Sequence, residues 1–325
     1  MTATLGSTRR IAPRGPFSWA ASLDVVENFG PTRRIAASGS DPLRMTFALD
    51  GTFEPVGVAV RPTGGDELDV EVSGTRDVDR AVRQVARIFS LDHDGTGFEA
   101  LGERDPAFGA LQRALPGLRP VCFTSPYECA AWAVMSQRIS MRQAAVIQDR
   151  LIADHGERLT VAGQEVGAFP APDRLLAVSA VRSLPAEKIE RLHGVARAAL
   201  DGILDVDRLR ALGDVEGPKS LLAIRGIGPF WASGFYLRAC GIVDRFADEP
   251  IAIAALGALH GLGDRPSPSD IDALTDSFRP YRMWACFLLR VAASRGLIPG
   301  ISGREMRIRE AAAGPPPVRR VRSAG

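Results

Sequence analysis

The stretch Leu221-Leu222-Ala223-Ile224-Arg225-Gly226-Ile227-Gly228-Pro229-Phe230-Trp231-Ala232 decides how the rest of this sequence is read. An apolar helix ends at Ile224, two glycines follow with one residue between them, and Pro229 suits the first turn of a new helix. Gly226 and Gly228 are expected to supply positive φ angles, because only glycine lets a backbone turn so tightly at little steric cost. Such a turn leaves backbone N–H groups bare at a helix N-terminus, where unsatisfied donors and the helix dipole favour an anion such as a DNA phosphate. A plain connection between two packed helices is the competing reading. The run I-x-G-I-G-P followed by an aromatic residue and Ala is what sets this turn apart from a lone G-x-G.

Outward from the hairpin, nearly every segment beyond Asp105 has helical spacing, broken by Pro120, Pro126, Pro170, Pro172, Pro185, Pro218, Pro229 and Pro280. An all-helical body of many short helices is therefore expected. The chain before about residue 75 reads differently. Apolar runs at Met45 to Leu49, Val56 to Val60 and Leu68 to Val72 are separated by Asp50-Gly51 and Gly64-Gly65, which predicts antiparallel strands joined by tight turns. From Thr75 the period lengthens: Val78, Val82, Val85, Ile88 and Phe89 recur at helical spacing, with acidic Asp77 and Asp79 at the start. The fold class is thus α+β. Its expected parts are an N-terminal mixed domain over 16–105, a helical domain over 106–300 with the hairpin at 221–232, and a basic flexible tail over 301–325. In that tail Arg307, Arg309, Arg319, Arg320 and Arg322 surround Pro315-Pro316-Pro317; the run suits a solvated segment, and beside DNA it would add non-specific affinity.

Composition narrows the function classes. With 325 residues, 46% hydrophobic and 24% charged, the chain is an ordinary globular protein with room for more than one core. No apolar run reaches the ~20 residues of a membrane span, and no signal peptide opens the chain, so a cytoplasmic protein is expected. A net charge of +2 means that any DNA contact must come from a local patch. Lysine occurs only as Lys188 and Lys219; arginine supplies the remaining basic charge, a bias that a GC-rich genome also produces. Cys122, Cys129, Cys240 and Cys286 show no paired spacing, and His93, His155, His193 and His260 no ligand spacing, so no disulfide framework, cluster or catalytic metal is expected.

At this point the chain resembles the 3-methyladenine DNA glycosylase II branch of the helix-hairpin-helix glycosylases. Besides the hairpin, Pro126-Tyr127-Glu128 followed by Ser136-Gln137-Arg138-Ile139-Ser140 looks like the family's P-F-E and Q-Q-V-S elements. Leu184-Pro185-Ala186-Glu187-Lys188 to Leu192 is similar to its next helix pair, and Phe278-Arg279-Pro280-Tyr281-Arg282 to its W-R-P-W-R run. Ile88-Phe89-Ser90-Leu91-Asp92 matches the junction after the family's TBP-like β-domain, so the likeness spans roughly 16 to 295.

The resemblance implies double-stranded DNA with damaged bases as partner, a monomer, and no cofactor beyond a structural monovalent cation at the hairpin. It implies DNA contacts at Arg225, Gly226, Ile227, Gly228, Pro229, Gln137, Arg138 and Ser140, with Arg138 wedged into the gap that a flipped nucleotide leaves. It implies a base pocket at Phe230, Gly234 and Phe278; for Phe230 a core position is an equal alternative, and Trp231 and Phe235 read as core. Phe230 stands where lyase-competent relatives carry a catalytic lysine, so hydrolysis without a Schiff base is expected. The family's catalytic aspartate falls here on Pro250, 22 residues beyond Gly228. Asp248 and Glu249, just upstream, are the candidate catalytic carboxylates, and capping of a helix over Ile251 to Leu259 is the other use for them. Two functions stay open: a monofunctional glycosylase for alkylated purines, and a DNA-binding protein that recognises damaged or distorted DNA on the same scaffold without releasing a base.

Overall fold

A computed structural model of the protein describes residues 7–28 and 42–301. The expected basic tail lies outside these residues apart from Ile301. In chain order the elements begin with β1 (Ser7–Ile11), α1 (Trp19–Asn28), β2 (Leu43–Ala48), β3 (Pro55–Gly64), β4 (Glu67–Ser73) and α2 (Val78–Ile88). Next come α3 (Leu101–Arg104), α4 (Pro106–Ala114), α5 (Pro126–Ser136), α6 (Met141–His155), β5 (Glu157–Val161), β6 (Gln164–Ala168) and α7 (Pro172–Leu176). The chain continues with α8 (Ala186–Leu200), α9 (Val206–Leu221), α10 (Pro229–Ala239), α11 (Pro250–Leu259), α12 (Pro268–Asp276) and α13 (Arg282–Ser294). None of the described helices is long and apolar enough to cross a membrane.

These elements form two compact units. One takes the described residues up to Phe98 together with Pro116–Val243; the other takes Glu99–Leu115 together with the chain from Asp244. The expected boundary at 105 followed secondary structure, whereas packing groups the sheet with the first half of the helical body.

In the first unit the four N-terminal strands make an antiparallel sheet of order β1-β4-β3-β2. The turn between β3 and β4 uses Gly64 and Gly65 at φ 112° and 60°, where a side chain would be strained. Strand β4 alternates buried and half-exposed residues, as expected for a sheet with one covered face. Strands β2 and β3 are buried on consecutive residues instead, because β5 and β6 pack against them and α5 contacts β2. This β5–β6 hairpin corrects the expectation of an all-helical body. Its two-residue turn, Ala162-Gly163, has positive φ at both positions (44° and 76°), the geometry that matches the twist of paired strands. Val161 fills the space that a Cβ on Gly57 would need, at 2.4 Å, so the two layers meet closely.

Arginines join the layers of this unit. Arg87, on α2 and 2% exposed, pairs with Asp50 at 2.7 Å and donates to the carbonyls of Thr124 at 2.8 Å and Ala239. Burial still pushes the Asp50 carboxyl up, with Arg87 opposing. The carbonyls at the C-terminal end of α10 are all met by donors: Ala239 by Arg87, Cys240 by Arg210 at 2.7 Å, and Gly241 by His93 at 3.0 Å. Cationic groups there complement the helix dipole and hold α10 by its far end. Arg119, 1% exposed, donates to five backbone carbonyls: Arg14, Gly15, Pro16, Ser90 and His93, at 2.6 to 3.4 Å. The four cysteines are free and buried; burial pushes the Cys240 thiol up to about 12 and the Cys122 and Cys129 thiols upward too, as for inert core residues.

The second unit packs α4 and α11 against α13, with α3 beside α4 and α12 beside α11. Its core includes Phe108 and Phe278, whose rings lie 4.7 Å apart, together with Ile251, Leu256, Trp284 and Leu288. Each such large apolar side chain contributes on the order of 1.5–3 kcal/mol when fully buried.

Candidate nucleic-acid interface

In the first unit, α9 leads into the hairpin through a break at Gly213 (φ 72°, ψ −175°). The turn itself differs from expectation in one respect. Gly226 has φ 98°, as required for the reversal, but Gly228 has φ −90° and ψ 174°. Gly228 is the N-cap of α10, a position that takes extended backbone, so no left-handed residue is needed there. Its glycine serves another end: a Cβ on Gly228 would meet nothing within 4 Å, and no side chain bonds the first-turn N–H groups of α10. Asp77, Asp105, Ser125, Ser140, Asp205, Glu249 and Ser267 each bond the first turn of their own helix. The first turn of α10 has no such cap, as is also true of α3, α7, α8 and α13, and uncapped first-turn donors can accept an anion.

Arg225 and Pro229 are exposed and Ile227 is buried, so the turn is anchored from beneath by an apolar side chain. Arg225 lies 3.9 Å from Glu190 in a solvent-exposed pair, an interaction weak enough for a phosphate to replace. Phe230 is 53% exposed at the start of α10, with its ring against Trp231 (5.8 Å), which in turn meets Phe235 (5.4 Å). Of the aromatic trio, Phe235 is buried as expected, Trp231 is half-buried, and Phe230 is not a core residue. Gly234 lies one turn further along α10, and a Cβ there would also meet open space.

Arg138 occupies the loop between α5 and α6 with φ 59°, a left-handed conformation uncommon for a residue with a side chain. It is exposed. Gln137, which precedes it, donates through Nε2 to the Gly226 carbonyl at 2.6 Å and accepts from Arg191 Nη1 at 2.8 Å. Lys188 Nζ donates to the carbonyls of Met135 and Gln137, both at 2.7 Å, and so caps the C-terminal end of α5. Desolvation, helped by Arg191 and Arg138, lowers the Lys188 pKa. Neither Lys188 nor Arg191 is among the residues expected to contact DNA. Ser140 has a structural duty: it caps α6 in a reciprocal pair with Gln143. Glu128 of the P-Y-E run is also structural, accepting from Ala48 N and Thr124 Oγ1 at 2.7 Å each.

The candidate carboxylates belong to the second unit. Glu249 is the N-cap of α11: its Oε2 accepts from Ala252 N at 2.6 Å and its Oε1 pairs with Arg290, while Pro250 takes the first helical position. The expected helix over Ile251 to Leu259 is therefore present and capped by one of the two candidates. Asp248 is exposed beside it. The approach to this pair is fixed by Asp244, which accepts from Arg279 at 3.0 Å and Arg282 at 2.7 Å, so the F-R-P-Y-R run braces the segment leading to α11. Phe278 is a correction: at 0% exposure against Phe108 it is a core side chain rather than a pocket wall. No cluster of His, Cys, Asp and Glu among the described residues is arranged to hold a metal ion.

No family model matches the chain. A DNA-3-methyladenine glycosylase of Bacillus subtilis is 24% identical over 213 residues, covering 64% of this chain and 70% of that protein. DNA-3-methyladenine glycosylase 2 of Escherichia coli is 31% identical over 198 residues, covering 59% of this chain and 66% of that protein. Among solved structures, the 3-methyladenine DNA-glycosylase of Archaeoglobus fulgidus superposes with a TM-score of 0.70 at 20% identity, over 87% of this chain and 97% of that one, a likeness of fold. On these named relatives the chain belongs to the helix-hairpin-helix DNA glycosylase superfamily, in its 3-methyladenine DNA glycosylase II branch.

Proposed function

We propose that this protein is a monofunctional base-excision glycosylase that hydrolyses the N-glycosidic bond of alkylated purines, of the 3-methyladenine type, after turning the damaged nucleotide out of duplex DNA. The observation that carries the reading is the bare N-terminus of α10 joined through Gln137 to the left-handed Arg138 turn. The first suits a phosphate, and the second presents a planar cation on a long stem, suited to filling the gap in the base stack. The hairpin turn also has main-chain oxygens of the kind a structural monovalent cation takes; that of Gly226 already accepts from Gln137, so an ion would use others. Phe230 offers an exposed ring to a cationic purine through stacking and cation–π attraction.

In the reaction the bond from C1′ to the base breaks with its electron pair going to the base, and water adds to C1′ and loses a proton. Positive charge grows on the sugar, so a carboxylate nearby lowers the barrier. We assign this role to Asp248, which is exposed two residues before the Pro250 that opens α11. A purine alkylated at N3 or N7 is already cationic and leaves neutral, which reduces what the carboxylate must supply.

The test is release of free base from methylated duplex DNA by the protein and by its Asp248→Asn and Glu249→Gln variants. Release abolished by Asp248→Asn alone supports the assignment. The second reading, a binding protein without base release, draws on Pro250 at the family's aspartate position and on the commitment of Glu249. It predicts duplex binding with no base released.

A further inference from the structure

We infer that Gln137 is a positioning residue that couples the Arg138 wedge to the phosphate-binding hairpin, with Lys188 and Arg191 holding it in place. The inference rests on the DNA-binding reading above, gives Gln137 a coupling role within it and extends it to Lys188 and Arg191. Two turns with positive φ sit at either end of one side chain. Arg138, directly after Gln137, is held at φ 59°, and Gly226, whose carbonyl receives the Gln137 amide, is held at φ 98°. A single hydrogen bond of 2.6 Å thus ties the turn that would enter the base stack to the turn that would grip the backbone.

The surrounding charges support that bond. Lys188 is in the first turn of α8, where a cation opposes its own helix dipole. Its two donations instead go to the last carbonyls of α5, including that of Gln137 itself, where a cation is favourable. Arg191, one turn further along α8, orients the Gln137 amide: by occupying Oε1 it leaves Nε2 to face Gly226. Arg191 is itself held by Glu187 at 2.5 Å, and its Cδ would lie 3.1 Å from a Cβ on Gly226, so it also backs the hairpin turn. Phosphate capture at the hairpin and insertion of Arg138 are then one event rather than two.

The experiment compares binding to an intact duplex and to a duplex carrying a tetrahydrofuran abasic-site analogue, whose gap only an inserted wedge can fill. Wild type, Arg138→Ala, Gln137→Ala, Gln137→Glu and the Arg138→Ala/Gln137→Ala double variant are measured by fluorescence anisotropy. The full chain is used, and thermal melting shows which variants fold. We expect Gln137→Ala to lower the preference for the abasic duplex by about 5- to 10-fold, close to the effect of Arg138→Ala, and the double variant to lose no more than Arg138→Ala alone. Gln137→Glu, which keeps a partner for Arg191 but cannot donate to Gly226, should behave as Gln137→Ala does, and it carries the test if the alanine variant does not fold. An unchanged preference in the Gln137 variants, an equal loss on both duplexes, or losses that multiply in the double variant would each overturn the coupling. A wild-type chain that binds neither duplex removes the DNA-binding reading and this inference with it; one that binds both equally removes the wedge and the coupling, but leaves the hairpin's role standing.

Discussion

The hairpin at Gly226–Pro229 and the segment at Asp244–Pro250 both carry residues singled out by the same resemblance, yet they rest on different physics. The hairpin acts through its backbone: a left-handed glycine, a proline and an N-cap without a side chain dictate where N–H groups point, whatever surrounds them. The carboxylate segment acts through side chains, whose use depends on partners far away in the chain. Arg290, 41 residues beyond Glu249, converts a candidate catalytic group into half of an ion pair on a helix cap. A turn built on backbone conformation is largely legible from a dozen letters; the use made of a carboxylate is not.

Substitutions in the two segments sharpen this contrast. The largest effect is expected from Asp248→Asn, which should reduce base release from methylated DNA by about 100-fold or more while duplex binding and thermal stability stay near wild type. Loss of duplex binding along with activity would instead make Asp248 part of the interface. Glu249→Ala removes both a cap and an ion pair and should lower unfolding stability by about 1–3 kcal/mol, read from denaturant melts. Full wild-type stability in that variant would return Glu249 to the list of groups open to catalysis.

At the hairpin, Gly226→Ala meets both the left-handed backbone and Arg191, and should cost about 1–2 kcal/mol together with most of the DNA affinity. Gly228→Ser gives the smallest change in stability, with the opposite sign. A serine N-cap fits the extended backbone there and should stabilise α10 by a few tenths of a kcal/mol. By occupying first-turn N–H groups it should nonetheless weaken duplex binding several-fold, on the order of one lost hydrogen bond. Stability and affinity moving in the same direction at Gly228 would mean that the bare N-terminus is not the phosphate site.

Strands β2, β3 and β4, helix α2 and helix α11 were legible because periodicity, turn glycines and helix-start residues agreed at each. The elements that escaped lacked such agreement. β1, with the sequence Ser-Thr-Arg-Arg-Ile, is a mostly polar edge strand that gains its place only by pairing with β4, some sixty residues later. The β5–β6 hairpin is only five residues a side, and its Ala162-Gly163 turn is a weaker signal than Asn-Gly. Phe278 was assigned to a pocket by its motif, but an aromatic in such a motif can brace the core equally well, and Phe108 claims it. Lys188 and Arg191 lie within the Leu184–Leu192 block, and only the carbonyls and the amide opposite them in the fold reveal their use.

Arg119 has a consequence of a different kind. A buried cation usually meets a carboxylate, and the joint then weakens when acid protonates the acid partner. The five acceptors of Arg119 are backbone carbonyls, which do not titrate, and its guanidinium stays charged across the accessible range. These five hydrogen bonds, which fasten the entry segment Arg14–Pro16 to the end of α2, are therefore made to groups that acid does not protonate. Being buried, they are little screened by salt.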